Sequence, residues 1–211
     1  MIYTNEVALQ TAGYLLEIRA VKLSPKNLFT WASGIKSPIY CDNRVTLSYP
    51  KIRTYIKEKF VAAIHDRIGL PDLIAGVATG GIAQGALVAQ ELELPFAYVR
   101  TTKKDHGLTN MIEGKVEAGQ SVVVVEDLIS TGKSSLEVVA ALREAGCNIK
   151  GMVAIFTYNL PIAEKGFSDA TCPLVTLSDY DILVRKALET HYISDNDLKV
   201  LQDFKQLLAN K

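Results

Sequence analysis

Short, uninterrupted apolar runs alternate along this chain with longer stretches in which apolar residues recur at helical spacing. The helical spacing is clearest over residues 50–68 and 134–145, where apolar side chains return every three or four positions. Runs without a polar face are typical of strands buried on both sides. The pattern therefore predicts an α/β fold, with a Rossmann-like parallel sheet flanked by helices. The predicted strands are residues 73–78, 95–99, 122–125, 149–156 and 174–177.

Smaller elements are predicted at the two ends of the chain. Residues 5–20 form an amphipathic helix, with Thr4 in the N-cap position. Residues 194–209 form another, in which Ser194 and Asp197 approximate a capping box. Packing against the sheet is sufficient to explain both helices.

Two short segments with strand character precede the core. Residues 28–31 and 38–42 are separated by a turn at residues 32–34, and we expect them to pair as a hairpin. An edge hairpin with one aromatic face explains Trp31 and Tyr40 taken singly. An edge hairpin does not explain the whole sequence of residues 29–44 when it is taken as one continuous string.

Composition limits the class of protein. The 211 residues contain 23 basic and 23 acidic side chains, so no overall positive charge recruits nucleic acid. Cys41, Cys147 and Cys172 are odd in number and form no Cys-x-x-Cys pair, which argues against a disulfide framework or a zinc site. The first residues do not resemble a signal peptide, and no apolar run approaches the roughly 20 residues of a membrane span. These features predict a cytoplasmic protein that contacts neither nucleic acid nor membrane.

Residues 121–135 contain the densest chemistry. Two acids, Glu126 and Asp127, are expected to leave the strand, and a hydroxyl-rich turn then leads into a helix. The backbone N–H groups of such a turn and the positive end of the helix favour an anion. A P-loop is excluded because Asp127 stands where that motif requires glycine. Ribose 5-phosphate fits this pattern, since a carboxylate can accept from its hydroxyls, whereas the alternative is an ordinary capped helix.

Two other segments suit a polyanion. Residues 79–81, Thr-Gly-Gly, join a predicted strand directly to a helix, and glycines let the backbone approach a pyrophosphate closely. Residues 100–115 lack apolar periodicity and contain several cations, as expected of a lid that closes on substrate. A tight turn and a solvated charge run are the alternative interpretations.

The string at residues 122–134 resembles the phosphoribosyl-pyrophosphate (PRPP) motif of the type I phosphoribosyltransferases. The resemblance implies that Glu126 and Asp127 contact the ribose hydroxyls and that the following turn holds the 5-phosphate. It also implies that the lid contributes cations and the Thr-Gly-Gly turn binds pyrophosphate. The implied PRPP-binding residues are Thr79, Gly80, Gly81, Arg100, Lys103, Lys104, His106, Glu126, Asp127, Leu128, Ile129, Ser130, Thr131, Gly132, Lys133 and Ser134.

Residues 29–44 are similar to the hood over the base in the orotate phosphoribosyltransferases. The lid also matches that family's catalytic loop, in which Lys104 and His106 would reach into the partner subunit's site of a homodimer. Thr101 stands where many members have lysine, a loss that Lys103 could compensate. No arginine follows Tyr158 to hold the orotate carboxylate, so other groups must hold it. The implied orotate-binding residues are Lys36, Ser37, Ile39, Tyr40 and Ser130.

The resemblance implies Mg²⁺-dependent transfer of ribose 5-phosphate from PRPP to orotate, a step of pyrimidine (UMP) synthesis. Lys104, His106 and Asp127 would be the catalytic residues, with the metal held mainly by pyrophosphate, ribose hydroxyls and water. A purine-base phosphoribosyltransferase and a PRPP-sensing regulatory protein are the alternatives. The expected organisation is an N-terminal helix and hood (1–48), a phosphoribosyltransferase core (49–172), and a C-terminal strand and helices that pack on core or hood (173–211).

Overall fold

A six-stranded sheet organises the computed structural model, which describes residues 1–31, 34–100 and 111–209. The strand order is β10-β9-β8-β5-β6-β7, and all neighbours are parallel except the antiparallel pair of β6 and β7. The strands of this sheet are β5 (Leu73–Val77), β6 (Phe96–Val99), β7 (Ile112–Glu113), β8 (Ser121–Ile129), β9 (Asn148–Thr157) and β10 (Leu174–Asp179). The predicted α/β fold class is therefore confirmed.

Seven α-helices occur in the described residues, and most cover the two faces of the sheet. Both predicted terminal helices are present, the first capped by Thr4 and the last preceded by the bond from Ser194 Oγ to Asp197 Oδ2. The helix expected over 50–68 ends in α geometry at Ala63 and continues to Ile68 as a wider π turn. The helices are α1 (Asn5–Glu17), α2 (Pro50–Ala63), α3 (Gly80–Glu91), α4 (Lys133–Glu144), α5 (Pro161–Asp169), α6 (Tyr180–Glu189) and α7 (Asp195–Ala209).

The valine run of β8 contributes to both hydrophobic cores. Val123 and Val125 face the core formed with α1, α2 and α6, whereas Val122 and Val124 face the core beneath α4 and α5. All four are fully buried. Burying each valine contributes about 1.5–3 kcal/mol. The apolar run at residues 122–125 therefore reflects a strand that is covered on both faces.

The strand pairing in the hood differs from the predicted hairpin. Phe29–Thr30 (β2) pairs with Lys36–Ser37 (β3), whereas Ile39–Cys41 (β4) pairs with Val21–Leu23 (β1). The predicted pairing of 28–31 with 38–42 is therefore wrong, and β1 had not been predicted. Pro38 is the physical reason, because proline has no N–H to donate and separates β3 from β4. The turn residues 32 and 33 lie outside the described residues.

Two boundaries near the site also differ from prediction. Strand β8 continues to Ile129, so Glu126 and Asp127 lie within the strand and do not follow it. Helix α3 begins at Gly80, and the Thr-Gly-Gly segment thus forms the first turn of the helix. The predicted 100–115 loop contains the short strand β7, while residues 101–110 lie outside the described part. Among the described helices, none has the length and apolarity needed to span a membrane.

Candidate functional site

A cavity of about 390 Å³ opens at the carboxyl ends of β5 and β8. Ligands of open α/β sheets bind at this edge because strand ends and helix N-termini converge there. Three parts of the chain form the walls: the β5–α3 turn, the end of β8 with the start of α4, and the segment after β4. The lining residues are Cys41, Asp42, Arg44, Val77, Ala78, Thr79, Gly80, Glu126, Asp127, Leu128 and Ser134.

Helix α3 begins with two glycines and approaches β8 closely at both of them. A Cβ on Gly80 would lie 2.2 Å from Asp127 Oδ1, and one on Gly81 would lie 2.2 Å from the Val125 carbonyl oxygen. At Gly81 the backbone leaves no room for a side chain, whereas a side chain at Gly80 would displace the Asp127 carboxyl group. The close approach places the Asp127 carboxyl against the first turn of α3, with Thr79 exposed at the helix start.

The two acids of β8 both line the first cavity. Glu126 is 5% exposed; its Oε1 accepts from the Asp127 N–H at 2.9 Å, and its Oε2 accepts from Ser135 Oγ at 2.9 Å. Burial raises the pKa of Glu126 well above its usual value, and the neighbouring Asp127 charge adds to this increase. Burial also raises the pKa of Asp127, which the Arg44 guanidinium partly opposes. The fold thus holds a pair of poorly solvated carboxyl groups beside a helix N-terminus.

The segment after β4 supplies the opposite wall. Arg44 contacts Asp42 through two bonds, Nε to Oδ1 at 2.7 Å and Nη2 to Oδ2 at 3.0 Å, which lower the pKa of Asp42. Of the described residues that line this cavity, Arg44 alone is cationic. The buried Asn43 donates from Nδ2 to the Asp127 carbonyl oxygen at 2.6 Å. One acid pair therefore faces one guanidinium across the cavity.

A second cavity of about 410 Å³ adjoins the first and shares Cys41 and Leu128 with it. Its walls are largely aromatic, and the Trp31 ring packs on Tyr158 at a centroid distance of 5.7 Å. Trp31 Nε1 donates to the Ile39 carbonyl oxygen at 2.9 Å, which fixes the indole. A planar, partly polar ring suits this space. The lining residues are Thr30, Trp31, Tyr40, Cys41, Leu128, Ser130 and Tyr158.

Of the residues predicted to bind the base, some line the aromatic cavity and others do not. Tyr40 and Ser130 line the aromatic cavity. Ser37 and Ile39 are fully buried and bond to each other, because Ser37 Oγ accepts from the Ile39 N–H at 3.1 Å. Lys36 Nζ donates to Thr30 Oγ1 at 2.7 Å, which places an exposed ammonium one residue from the cavity wall. The Ile39 N–H is thus already engaged within the chain.

The residues predicted to bind phosphate are also distributed unevenly. Leu128 and Ser134 line the first cavity, Ile129 is buried in the core, and the turn formed by Ser130, Thr131 and Gly132 leads into α4, which begins at Lys133. Arg100 follows β6, with its Nη2 3.3 Å from Glu113 Oε1, and it does not line the cavity. Lys103, Lys104 and His106 lie outside the described residues.

Several residues at the site were not identified individually from the sequence. Cys41, Asp42, Asn43 and Arg44 belong to the hood string that was recognised as a whole, but no pattern distinguishes their separate contacts. Tyr158 appears in the sequence only as the residue before a short helix. Contacts across the fold, such as that between Asn43 and Asp127, have no signature in local spacing.

The parallel sheet carries an acid pair, Glu126 and Asp127, between two turns of the kind that bind phosphate, at the starts of α3 and α4. This arrangement defines the class of phosphoribosyltransferases. The family described as "Phosphoribosyl transferase domain" matches residues 50–178, more than half of the chain. The chain is 57% identical to an orotate phosphoribosyltransferase of Bacteroides thetaiotaomicron over 195 residues, and these residues make up 92% of each chain. The chain belongs to the orotate phosphoribosyltransferase family.

Solved structures have the same fold at lower identity. An orotate phosphoribosyltransferase from Aeropyrum pernix superposes with a TM-score of 0.75 at 24% identity, covering 87% of this chain and 99% of that one. A Mycobacterium tuberculosis orotate phosphoribosyltransferase in complex with PRPP gives a TM-score of 0.64 at 19% identity, covering 83% and 97%. These likenesses concern the fold.

Proposed function

We propose that the first cavity binds PRPP, that the aromatic cavity binds orotate, and that the enzyme joins the two where the cavities meet. Orotate phosphoribosyltransferases transfer ribose 5-phosphate from PRPP to orotate, giving orotidine 5′-monophosphate and pyrophosphate. One observation supports this assignment above others: the cavities share Cys41 and Leu128, with an acid pair on one side and aromatic rings on the other. The reaction belongs to pyrimidine nucleotide synthesis, and three free cysteines agree with a reducing cytoplasm.

In the first cavity, called the PRPP cavity from here on, each part of PRPP has its own proposed binding group. The 5-phosphate binds to the turn from Ser130 to Ser134, where backbone N–H groups and the α4 N-terminus favour an anion. Pyrophosphate binds at the Thr79–Gly81 turn, at the N-terminus of α3. Between them, Glu126 and Asp127 accept from the ribose hydroxyls.

The reaction breaks the bond between ribose C1 and the pyrophosphate oxygen, and the electron pair leaves with pyrophosphate. A ring nitrogen of orotate then bonds to C1, and the proton on that nitrogen is released to solvent water. Positive charge develops on the ribose as the bond breaks, so the Asp127 carboxylate stabilises the transition state more than the ground state. In this proposal Lys104 and His106, with Arg100 and Lys103, supply positive charge to the leaving pyrophosphate, and the imidazole of His106 is the candidate proton donor to it.

The donor groups of the PRPP cavity suit Mg²⁺. Glu126 and Asp127 are carboxyl groups of one cavity, whereas the third carboxyl group there, that of Asp42, is already paired with Arg44. No cluster of three His, Cys, Asp or Glu side chains that could hold a metal occurs within the described residues. Mg²⁺ prefers substrate phosphates and water with one or two carboxylates. When bound, Mg²⁺ neutralises charge on the pyrophosphate.

The orotate carboxylate requires a partner other than arginine. Lys36 is a suitable candidate because its ammonium contacts Thr30, which lines the aromatic cavity. Ser130, which also lines this cavity, offers a hydroxyl. Tyr40 contributes its ring, whereas Ser37 and Ile39 support this wall from within the hood.

The proposed reaction is tested by following orotate absorbance with PRPP and Mg²⁺. We expect consumption of orotate and release of pyrophosphate in equal amounts, with no ribosylation of adenine, hypoxanthine or xanthine. Ribosylation of a purine without consumption of orotate would show that the base specificity is wrong. PRPP binding without turnover of any base would favour a regulatory sensor.

The loop at 100–115 is proposed to complete the site of a partner subunit in a homodimer. Mixing Lys104→Ala subunits with Asp127→Asn subunits should then restore activity, because one site of each hybrid dimer contains both intact residues. Random exchange predicts about a quarter of wild-type activity, since half of the dimers are hybrid and each has one intact site. Activity that stays at the level of the unmixed variants, under conditions where subunits exchange, would contradict loop sharing.

A further inference from the structure

The sheet opens into a fork at the PRPP cavity. Strand β5 pairs with β8 only as far as Gly76 with Val125, and β5 ends at Val77. Strand β8 continues to Ile129 and remains paired with β9 on its other edge. Beyond Val125, the edge of β8 that faces β5 has therefore lost its strand partner. Backbone groups on this edge must be satisfied in another way.

Side chains satisfy the backbone of Asp127 in this fork. Its N–H donates to Glu126 Oε1 at 2.9 Å, and its carbonyl oxygen accepts from Asn43 Nδ2 at 2.6 Å. Asn43 is only 1% exposed, so its amide bond to β8 is shielded from water. Water could replace the Asn43 amide as the donor to Asp127 only if the surrounding packing changed.

Both ends of the Asn43 amide are engaged. Its Oδ1 accepts from Cys41 Sγ at 3.4 Å, while its Nδ2 donates to Asp127. Burial raises the pKa of the Cys41 thiol well above its usual value, so the thiol remains a donor at neutral pH. The thiol fixes which end of the amide faces the carbonyl group. Cys41 also lines both cavities. The bond between Cys41 and Asn43 therefore connects the wall that the cavities share to Asp127.

A buried chain of hydrogen bonds holds the Asn43 backbone in turn. Thr46 Oγ1 donates to the Asn43 carbonyl oxygen at 2.6 Å, and Gln84 Nε2 donates to Thr46 Oγ1 at 3.3 Å. Gln84 belongs to α3, the helix that begins with the pyrophosphate turn. The short 3₁₀ helix from Asn43 to Ser48 is thus fixed between α3 and β8.

We propose that Asn43 is a positioning residue for the transfer reaction: it holds the Asp127 backbone in the fork so that the carboxylate faces the ribose. The inference rests on the proposed role of Asp127. Asn43 lines neither cavity, and it acts through Asp127 and Cys41. Loss of the amide donor should therefore impair catalysis more than it impairs binding of the base.

Asn43→Ala is the first variant that tests this proposal. We expect kcat to fall about 10-fold, which corresponds to about 1.4 kcal/mol of transition-state stabilisation. Orotate affinity should change less than two-fold; it can be followed by the fluorescence of Trp31, the single tryptophan, which lines the aromatic cavity. A purely structural role would lower the unfolding temperature and leave kcat of the folded enzyme unchanged.

Two further variants make the result decisive. Asn43→Asp keeps the size of the side chain and its acceptor for Cys41 but loses the donor when ionised, so it should lower kcat at least as much. Asn148→Ala is the matched control, because Asn148 Nδ2 donates to the Gly119 carbonyl oxygen at 3.0 Å at the distant end of β9, and its kcat should equal that of wild type.

The same assay distinguishes failure of this inference from failure of the proposed site. Wild-type kcat in both Asn43 variants, alongside an impaired Asp127→Asn enzyme, would overturn the positioning role alone. Wild-type kcat in Asp127→Asn would overturn the assignment of the acid itself. Equal losses of kcat in Asn148→Ala and Asn43→Ala would also overturn the positioning role, because the loss would then not depend on the contact with Asp127.

Discussion

Replacing Asp127 with asparagine is expected to lower kcat by about 10²–10³-fold, with a smaller effect on the KM for orotate. Removing one preorganised group that stabilises charge in the transition state typically has an effect of this size. Asp127 lies against the first turn of α3 and faces the PRPP cavity, where positive charge would develop on the ribose. The aromatic cavity is built from other residues, so the base should still bind.

Asparagine has nearly the same shape as aspartate, so the variant should fold. Burial already disfavours the Asp127 charge, and a neutral side chain removes that cost. Asp169→Asn is a suitable control because Asp169 is an exposed acid of α5, paired with Lys165 and distant from both cavities. Initial rates at saturating orotate and PRPP would measure the effect. A kcat within three-fold of wild type would remove Asp127 from the catalytic residues.

Replacing Glu126 with glutamine is expected to weaken the enzyme as a catalyst and to stabilise its fold. A hydrogen bond to a charged acceptor contributes about 1.5–3 kcal/mol, so kcat/KM for PRPP should fall roughly 10–150-fold. The amide oxygen can still accept from the Asp127 N–H, but the amide nitrogen cannot accept from a ribose hydroxyl. Initial rates at varied PRPP concentration measure this loss.

The stabilisation should depend on pH. The pKa of Glu126 is raised in the folded protein, so above the ordinary glutamate pKa the folded chain binds more protons than the unfolded chain. The free energy of unfolding therefore decreases as pH rises from that value through the raised pKa. Glutamine removes this dependence. The variant should match wild type near pH 4 and become more stable than wild type as pH rises through the raised pKa of Glu126.

Thermal unfolding of both proteins between pH 4 and pH 9 tests this expectation. Glu137→Gln is the matched control, because Glu137 is an exposed residue of α4 two positions after Ser135. Its unfolding temperature should differ little from that of wild type across the range. A Glu126→Gln protein that is less stable than wild type at pH 8 would contradict a buried and unfavourable carboxylate.

Local patterns were sufficient for the core of the fold. The apolar runs located the five parallel strands because most of their residues are buried, so that these strands have no extended polar face. The hairpin was mispaired because residues 28–31 can match either β3 or β4 in composition, and only Pro38 and the path of the chain decide between them. The length of β8 was underestimated because acids are uncommon in strands, whereas here the fork leaves room for them.

The sequence by itself determined the two acids, the two phosphate-type turns and their order along the chain. These features are local, since a turn and the helix it begins are set by neighbouring residues. Only the tertiary structure decided how the acids are placed between the two cavities. It brings Asn43 to Asp127 across 84 positions and Gln84 to Thr46 across 38. Such contacts depend on where β5 ends beside β8, which is set by packing of the sheet and leaves no periodic trace in the chain.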